Sequence, residues 1–230
     1  MTEINLSPRL RAAADLVRSD CRVADVGTDH AYLPIALCLS GKISGAIASD
    51  INKGPIEKAR ENIEKYGLGA KISTLHTDGL RGVEKFSPDD VLILGMGGEL
   101  IANIIAEAPW IANKDINLCL QPMTHAEDLR RFLIENGFEI TDEKIAREGD
   151  KLYQLILASF TNKKITPYSE EEFYLGRVNI QKRPTELPSL AASIASKLTR
   201  RAEGLESTGA DTSELRTLIG KIQNYQTQEN

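Results

Sequence analysis

Short apolar runs and amphipathic stretches alternate along most of this chain. The runs at residues 22–26, 44–49, 71–76, 91–94 and 116–121 predict strands. Apolar residues at helical spacing over 31–40, 55–66, 99–106 and 126–136 predict the helices between them. A further short helix over residues 8–17 precedes the first strand, with Ser7 as its cap. Such alternation is the pattern of a parallel sheet covered on both faces. Residues 138–145 and 152–160 end it, because both read as strands and only residues 146–151 link them. A crossover helix takes a dozen or more residues, so the last two strands pair as an antiparallel hairpin.

The pattern changes again after residue 160. Residues 168–180 read as a helix opening on Ser169-Glu170-Glu171-Glu172, and Pro184 and Pro188 break it. Leu187, Leu190, Ile194, Leu198, Ala202 and Leu205 then recur at three- and four-residue steps. Leu215, Leu218, Ile219, Ile222 and Tyr225 repeat the pattern after a Gly-containing turn. This predicts two helices packed as an antiparallel pair. The stripes are short, which favours a packed helical appendage over an extended coiled-coil dimer. The chain therefore divides at residue 160, into an α/β unit over 1–160 and a small helical unit over 161–230. A parallel sheet that ends in an antiparallel hairpin looks like the class I methyltransferase, Rossmann-like sheet. A dinucleotide dehydrogenase would keep alternating.

Composition narrows the function. With 230 residues, 41% of them hydrophobic, the chain can bury a full core. It has no run apolar enough to span a membrane, and its polar start is no signal peptide. Cys21, Cys38 and Cys119 lack metal spacing, as do His30, His76 and His125. The expectation is a cytoplasmic protein with reduced cysteines and no metal. The net charge of -5 does not advertise a nucleic-acid binder, but it is unevenly spread. Residues 161–230 hold ten Lys and Arg against nine Asp and Glu, and the remainder 18 against 24. Basic clusters stand at Arg9, Arg11, Arg18 and Arg22, at Lys163-Lys164, at Lys182-Arg183, and at Lys197 with Arg200-Arg201. Each is a solvated face or a phosphate contact.

The densest chemistry follows the first strand, in Asp25-Val26-Gly27-Thr28-Asp29-His30-Ala31. Strand, glycine turn and helix together expose free N–H groups to a nucleotide cofactor. The three-glycine dinucleotide pattern is missing. Asp29 and His30 stand where a second glycine would admit a pyrophosphate. A carboxylate there repels phosphate and suits a cation, which favours S-adenosylmethionine, a sulfonium without phosphate. Asp50, ending the second strand, is placed to take both ribose hydroxyls, or else it caps the next helix. Asp78-Gly79 follows the third strand, as an acceptor for an adenine amine or as a bare turn. Gly95-Met96-Gly97-Gly98 ends the fourth strand and leaves backbone open to a ligand. Gln121-Pro122-Met123 ends the fifth at the same edge.

These stretches, with Ser49-Asp50-Ile51-Asn52 and Asp78-Gly79-Leu80, resemble the bacterial TrmK family of tRNA (adenine-22, N1)-methyltransferases over nearly the whole chain. The resemblance implies a Rossmann-like N-terminal domain, a C-terminal helical, coiled-coil-like domain, S-adenosylmethionine as cofactor and tRNA as substrate. It makes Asp25, Gly27, Asp50, Asp78 and Gly95 cofactor contacts, accompanied by Thr28, His30, Ile51, Gly79, Met96 and Gly97. It makes Asp29 the catalytic or base-orienting carboxylate. Candidate substrate contacts are Tyr32, which stacks on the base or is a core aromatic, with Gln121, Pro122, Arg9, Lys182, Arg183, Arg200 and Arg201. N1 of adenine already has an in-plane lone pair, so no covalent nucleophile is required. Asp29 is suited to oppose the positive charge that methylation creates. N1 lies on the pairing edge, so the base must leave its stack. No Asn-Pro-Pro-aromatic motif follows the fourth strand, which disfavours the exocyclic amine as target. A monomer or weak homodimer is expected. The competing readings are a methyltransferase for a small molecule or protein, and a non-catalytic RNA-binding module.

Overall fold

The computed structural model describes residues 4–113, 115–163 and 165–227. Seven strands form one sheet: β1 (Cys21–Val26), β2 (Ile43–Asp50), β3 (Ile72–His76), β4 (Asp90–Met96), β5 (Asn117–Pro122), β6 (Phe138–Glu148) and β7 (Lys151–Phe160). Their order is β3-β2-β1-β4-β5-β7-β6. Strands β1 to β5 are parallel, and β7 runs antiparallel to both β5 and β6. The chain steps outward from β1 to β3, then returns to place β4 on the other side of β1. That reversal opens a crevice at the carboxyl ends of β1 and β4, where open sheets bind ligands.

Helices cover both faces because the parallel strands are apolar on both. On one face lie α1 (Pro8–Leu16), α2 (Tyr32–Leu39) and α3 (Lys53–Lys65), packed on Val23, Leu92, Cys119, Ala146 and Leu155. On the other lie α4 (Gly98–Ala106) and α5 (Ala126–Glu135), packed on Ala24, Val26, Val91, Ile93 and Leu120. Adjacent residues of β1 and β4 thus serve opposite layers.

The hairpin is longer than the sequence pattern predicts. Strands β6 and β7 continue to Glu148 and Lys151, so only Gly149-Asp150 turn the chain, with Gly149 at φ +56°. Pairing between β5 and β7 ends at Leu120 and Ile156. The turn end of the hairpin therefore stands beyond the carboxyl end of β5, beside the crevice.

The remaining helices are α6 (Glu170–Leu175), α7 (Arg177–Lys182), α8 (Leu187–Glu206) and α9 (Ser213–Gln223). The single helix predicted over 168–180 is in fact two. Gly176, at φ +87°, separates them, and a Cβ there would lie 2.4 Å from both carboxylate oxygens of Glu143. Pro188 opens α8 instead of breaking a helix, as the first turn allows. The helical unit does not stand alone: Ile145 and Leu152 of the hairpin share a core with Leu175, Leu190, Ala195, Leu198 and Ile222. Beneath it, Arg130 of α5 bonds Glu143 at 2.7 Å, Gln154 at 2.7 Å and the carbonyl of Phe173 at 2.7 Å. Both partners of the Arg130–Glu143 pair are wholly buried. Among the described residues no helix is long and apolar enough to cross a membrane.

Candidate active site

The five parallel strands bring most of the sequence-predicted residues to one edge. At the end of β1, Asp25 is buried, and Thr28 donates its hydroxyl to Asp25 Oδ2 at 2.6 Å. Burial pushes the Asp25 carboxyl up to about 6, with Thr28 opposing the shift and the charge of Asp50 adding to it. Among the described residues no hydrogen bond reaches Asp25 Oδ1 and no cation pairs with it. The backbone N–H groups of Gly27 and Thr28 both donate to the carbonyl of Ser49, at 2.9 and 2.8 Å. Gly27 has φ +73°, and a Cβ there would lie 2.2 Å from Met96 Cε. Any side chain at that position would have to displace Met96.

His30 and Ala31 follow at φ +62° and +57°, two successive non-glycine residues in the left-handed region. Such conformations cost about 1–3 kcal/mol each and gather at functional sites. They turn the chain directly into α2 and expose what the sequence could not group. His30 Nε2 lies 3.0 Å from Asp29 Oδ1, and its ring stacks on Tyr32 with centroids 5.4 Å apart. Asp29 itself is 84% exposed at its side chain. Tyr32 is also exposed and is no core aromatic.

At β2, Asp50 Oδ1 accepts from the backbone N–H of Asn52 at 2.7 Å, while Ile51 is exposed. This carboxylate supports the next helix entry and keeps Oδ2 free of bonds among the described residues. Asp78 and Gly79 line a cleft of about 470 Å³ with Arg81, Leu100, Ile104 and Trp110. At β4, Gly95 has φ +81°. A Cβ on Gly98 would lie 2.2 Å from the carbonyl oxygen of His125, so the loops after β4 and β5 close on each other through backbone.

Gln121 and Pro122 do not stand free for substrate, because both are buried. Gln121 Nε2 donates to the carbonyl of Pro122 at 2.9 Å, and its Oε1 accepts from Arg9 Nη1 at 2.8 Å. Gln121 is a holder of Arg9, which α1 carries to this edge. Lys182, Arg183, Arg200 and Arg201 lie elsewhere, on the helical unit. Lys182 is paired with Asp142, and Arg200 bonds Ser196 Oγ at 3.3 Å. Lys164, from another basic cluster, lies outside the described residues.

The sequence reading missed two groups here. Leu100 and Met123 are exposed apolar side chains at the starts of the segments after β4 and β5. With Tyr32 and Ile51 they account for four of the five large exposed hydrophobics among the described residues, all at one edge. Leu100 had a signal, since it precedes Ile101 and so falls off the buried stripe of its helix. Met123 had none beyond its place after Pro122. Glu99, His125 and Asp128 also converge there, exposed, with ligand atoms within 4.8 Å of one another. The three cysteines are buried and burial raises their thiols, Cys21 and Cys119 to about 12, so they are poor nucleophiles.

Comparison with known proteins gives this edge a lineage. A methyltransferase domain family model matches residues 6–156. The tRNA (adenine(22)-N(1))-methyltransferase of Bacillus subtilis is 39% identical over 158 residues, which are 69% of this chain and 66% of that protein. The structure of the B. subtilis m1A22 tRNA methyltransferase TrmK matches with a TM-score of 0.82 at 30% identity, over 97% of each chain. A Streptococcus pneumoniae protein, a putative tRNA (m1A22) methyltransferase solved in complex with S-adenosyl-L-methionine, matches with a TM-score of 0.85 at 30% identity, over 97% of this chain and 100% of that one. Domain, strand edge and helical unit are therefore shared along the full length, and the chain belongs to the TrmK family of tRNA (adenine(22)-N(1))-methyltransferases.

Proposed function

We propose that this protein transfers a methyl group from S-adenosylmethionine to N1 of adenine 22 in tRNA, in the cytoplasm. The observation that carries the reading is Asp25, a buried carboxylate with no cationic partner among the described residues, at the switch point of the sheet. An unpaired buried anion is costly, and a cationic ligand removes that cost. The cofactor also fits its surroundings: Gly95 carries no side chain at this edge, and Ile51 offers apolar surface for an adenine ring.

Bound there, S-adenosylmethionine supplies an electrophilic methyl group on a sulfonium. Asp25 holds the cationic end of the molecule. Asp50 Oδ2 accepts from a ribose hydroxyl, and Asp78 accepts from the adenine amine. Asp29, oriented by His30, accepts from the exocyclic amine of the target base and opposes the charge that grows on its ring. Tyr32, Leu100 and Met123 form the apolar rim against which an unstacked base packs. N1 of neutral adenine carries a lone pair and no proton, so the transfer needs neither a base at N1 nor a covalent nucleophile, and the raised thiols of the three buried cysteines accord with the second. The helical unit, fixed to the hairpin beside the crevice, provides the platform for the rest of the tRNA.

The test is transfer of a tritiated methyl group to an unmodified tRNA transcript, followed by nucleoside analysis. Label should appear as N1-methyladenosine and vanish when guanine replaces adenine 22. Label on a different nucleoside, or none despite normal cofactor binding, overturns the assignment.

A further inference from the structure

The turn that carries Asp29, His30 and Tyr32 is anchored at two points. Its first half is held by β2, where the carbonyl of Ser49 accepts from the N–H groups of Gly27 and Thr28. Its second half is held by α3: Asn62 Nδ2 donates to the carbonyl of His30 at 2.9 Å, from 32 positions away in sequence. The sequence itself creates the need for that donor. A carbonyl at the start of a helix receives the N–H of the residue four positions on. Four positions after His30 stands Pro34, which has no N–H to give. The next carbonyl is served in the ordinary way, with the Ile35 N–H donating to Ala31 at 3.0 Å. Among the described residues Asn62 is the one donor to the His30 carbonyl.

The bond falls where the backbone is under strain. His30 and Ala31 both lie in the left-handed region, which for Ala31 carries a steric cost with no local hydrogen bond to offset it. Such residues persist only where their surroundings hold them. Helix α3 is a firm holder, because Ile56, Ala59 and Ile63 are buried along it. Asn62 precedes Ile63 but is only half-buried, and it spends its amide on His30. Fixing the His30 peptide fixes three side chains at once. His30 Nε2 lies 3.0 Å from Asp29 Oδ1, and the His30 ring stacks on Tyr32. The exposed Asp29 takes its direction from His30 and the turn, not from packing.

We propose that Asn62 is a positioning residue for methyl transfer, holding the left-handed turn so that Asp29 meets the target base. It acts through His30, from the body of α3, and this rests on the role given to Asp29 above. A misplacement of about 1 Å at a reacting group costs on the order of 100-fold in rate. An anchor that touches no reacting atom can therefore carry a large share of the rate.

The experiment is a double-mutant cycle between Asn62 and Asp29. It is read by single-turnover transfer of a tritiated methyl group to tRNA at saturating S-adenosylmethionine, with calorimetry of S-adenosylhomocysteine on each variant. Asn62→Leu keeps the shape of the side chain and removes the donor. It should slow transfer by roughly 10- to 100-fold. Its affinity for S-adenosylhomocysteine should stay that of the wild type, which also shows that the variant is folded. In the Asp29→Ala background the same substitution should cost much less, because the group it positions is gone. Asn62→Asp, a second variant of the same size, sets a carboxylate against the His30 carbonyl and should be at least as slow as Asn62→Leu. An equal fold-loss with and without Asp29 would overturn the proposal in favour of a structural tie between α2 and α3. Loss of cofactor affinity in both Asn62 variants would overturn it in the same way, and wild-type rates in both would overturn it outright. A normal rate in Asp29→Ala would instead remove the Asp29 reading beneath it, a result visible in its own arm of the cycle.

Discussion

Thr28 donates its hydroxyl to Asp25 at 2.6 Å, and this is the single hydrogen bond that the buried carboxylate receives among the described residues. One bond does not offset burial, so the Asp25 carboxyl rests near 6 instead of 3.8. The sign of the consequence differs between the free and the bound protein. In the free protein a raised carboxylate costs stability as pH climbs from about 4 to about 6, because the unfolded chain gives up its proton first. For a ligand that brings an ammonium, the ionised form is the competent one.

Affinity for S-adenosylhomocysteine should therefore rise from pH 5 to pH 7.5 and level off above the Asp25 transition. Asp25→Asn should flatten that profile and lower affinity, while raising the thermal midpoint of the free protein at pH 7.5. Calorimetry across pH and thermal unfolding check both parts. A variant that kept the wild-type profile would assign the transition to another group.

Asp50→Ala should weaken S-adenosylhomocysteine binding by roughly 10- to 100-fold, because it removes a charged acceptor for the ribose. The bond from Asn52 to Asp50 also goes, so the measurement includes thermal unfolding to separate a loosened α3 entry from a missing ribose acceptor. Unchanged affinity would refute the ribose role.

Asp29→Ala should keep cofactor affinity and lose single-turnover rate by about 100- to 1,000-fold, the usual cost of one preorganised electrostatic group. Asp29 is exposed and bonded to His30, so the substitution leaves the core untouched. His30→Ala should lower the rate by less, since it frees Asp29 to rotate without removing its charge. Normal turnover in Asp29→Ala would make this carboxylate a surface group only.

Much of this was legible in the sequence, and the reason is local. Strand order could not be read, but strand–helix alternation and a link of few residues determine a parallel sheet with a terminal hairpin. Asp25, Gly27, Asp50, Asp78 and Gly95 were legible because each follows an apolar run, and parallel strands deliver such residues to one edge. Three features were not. The break at Gly176 depends on the Glu143 carboxylate from a distant strand. The burial of Gln121 depends on Arg9, 112 positions away. The contact of His30 with Asp29 and Tyr32 depends on two successive left-handed residues, and Ala31 in particular carries no local preference for that region.

The Arg130–Glu143 pair makes the helical unit and the sheet one structure. Glu143 also accepts from the backbone N–H of Val178 at 2.9 Å. Glu143→Ala leaves a buried guanidinium without its anion, a change that typically costs about 3–5 kcal/mol. Thermal unfolding should show one transition at a clearly lower midpoint. Two separate transitions would mean that the helices fold independently. For the same reason truncation after Phe160 should expose Ile145 and Leu152 and destabilise the protein, so it is a poor test of tRNA docking.

Charge neutralisation tests docking without that damage. Arg183, Arg200 and Arg201 have no carboxylate partner among the described residues, whereas Lys182 is paired with Asp142. A cation already paired releases fewer counterions when it meets a phosphate. Replacing Arg183, Arg200 and Arg201 by Ala should leave S-adenosylhomocysteine binding unchanged and weaken tRNA binding. The slope of log affinity against log salt should flatten by about 0.7–0.9 for each phosphate that is no longer neutralised. Lys182→Ala should have a smaller effect on both. If the triple variant bound tRNA with the wild-type slope, phosphate contacts would have to come from the exposed cations beside the crevice, Lys53, Arg147 and Lys151 among them. The platform would then be the hairpin tip and the start of α3, not the face of α8.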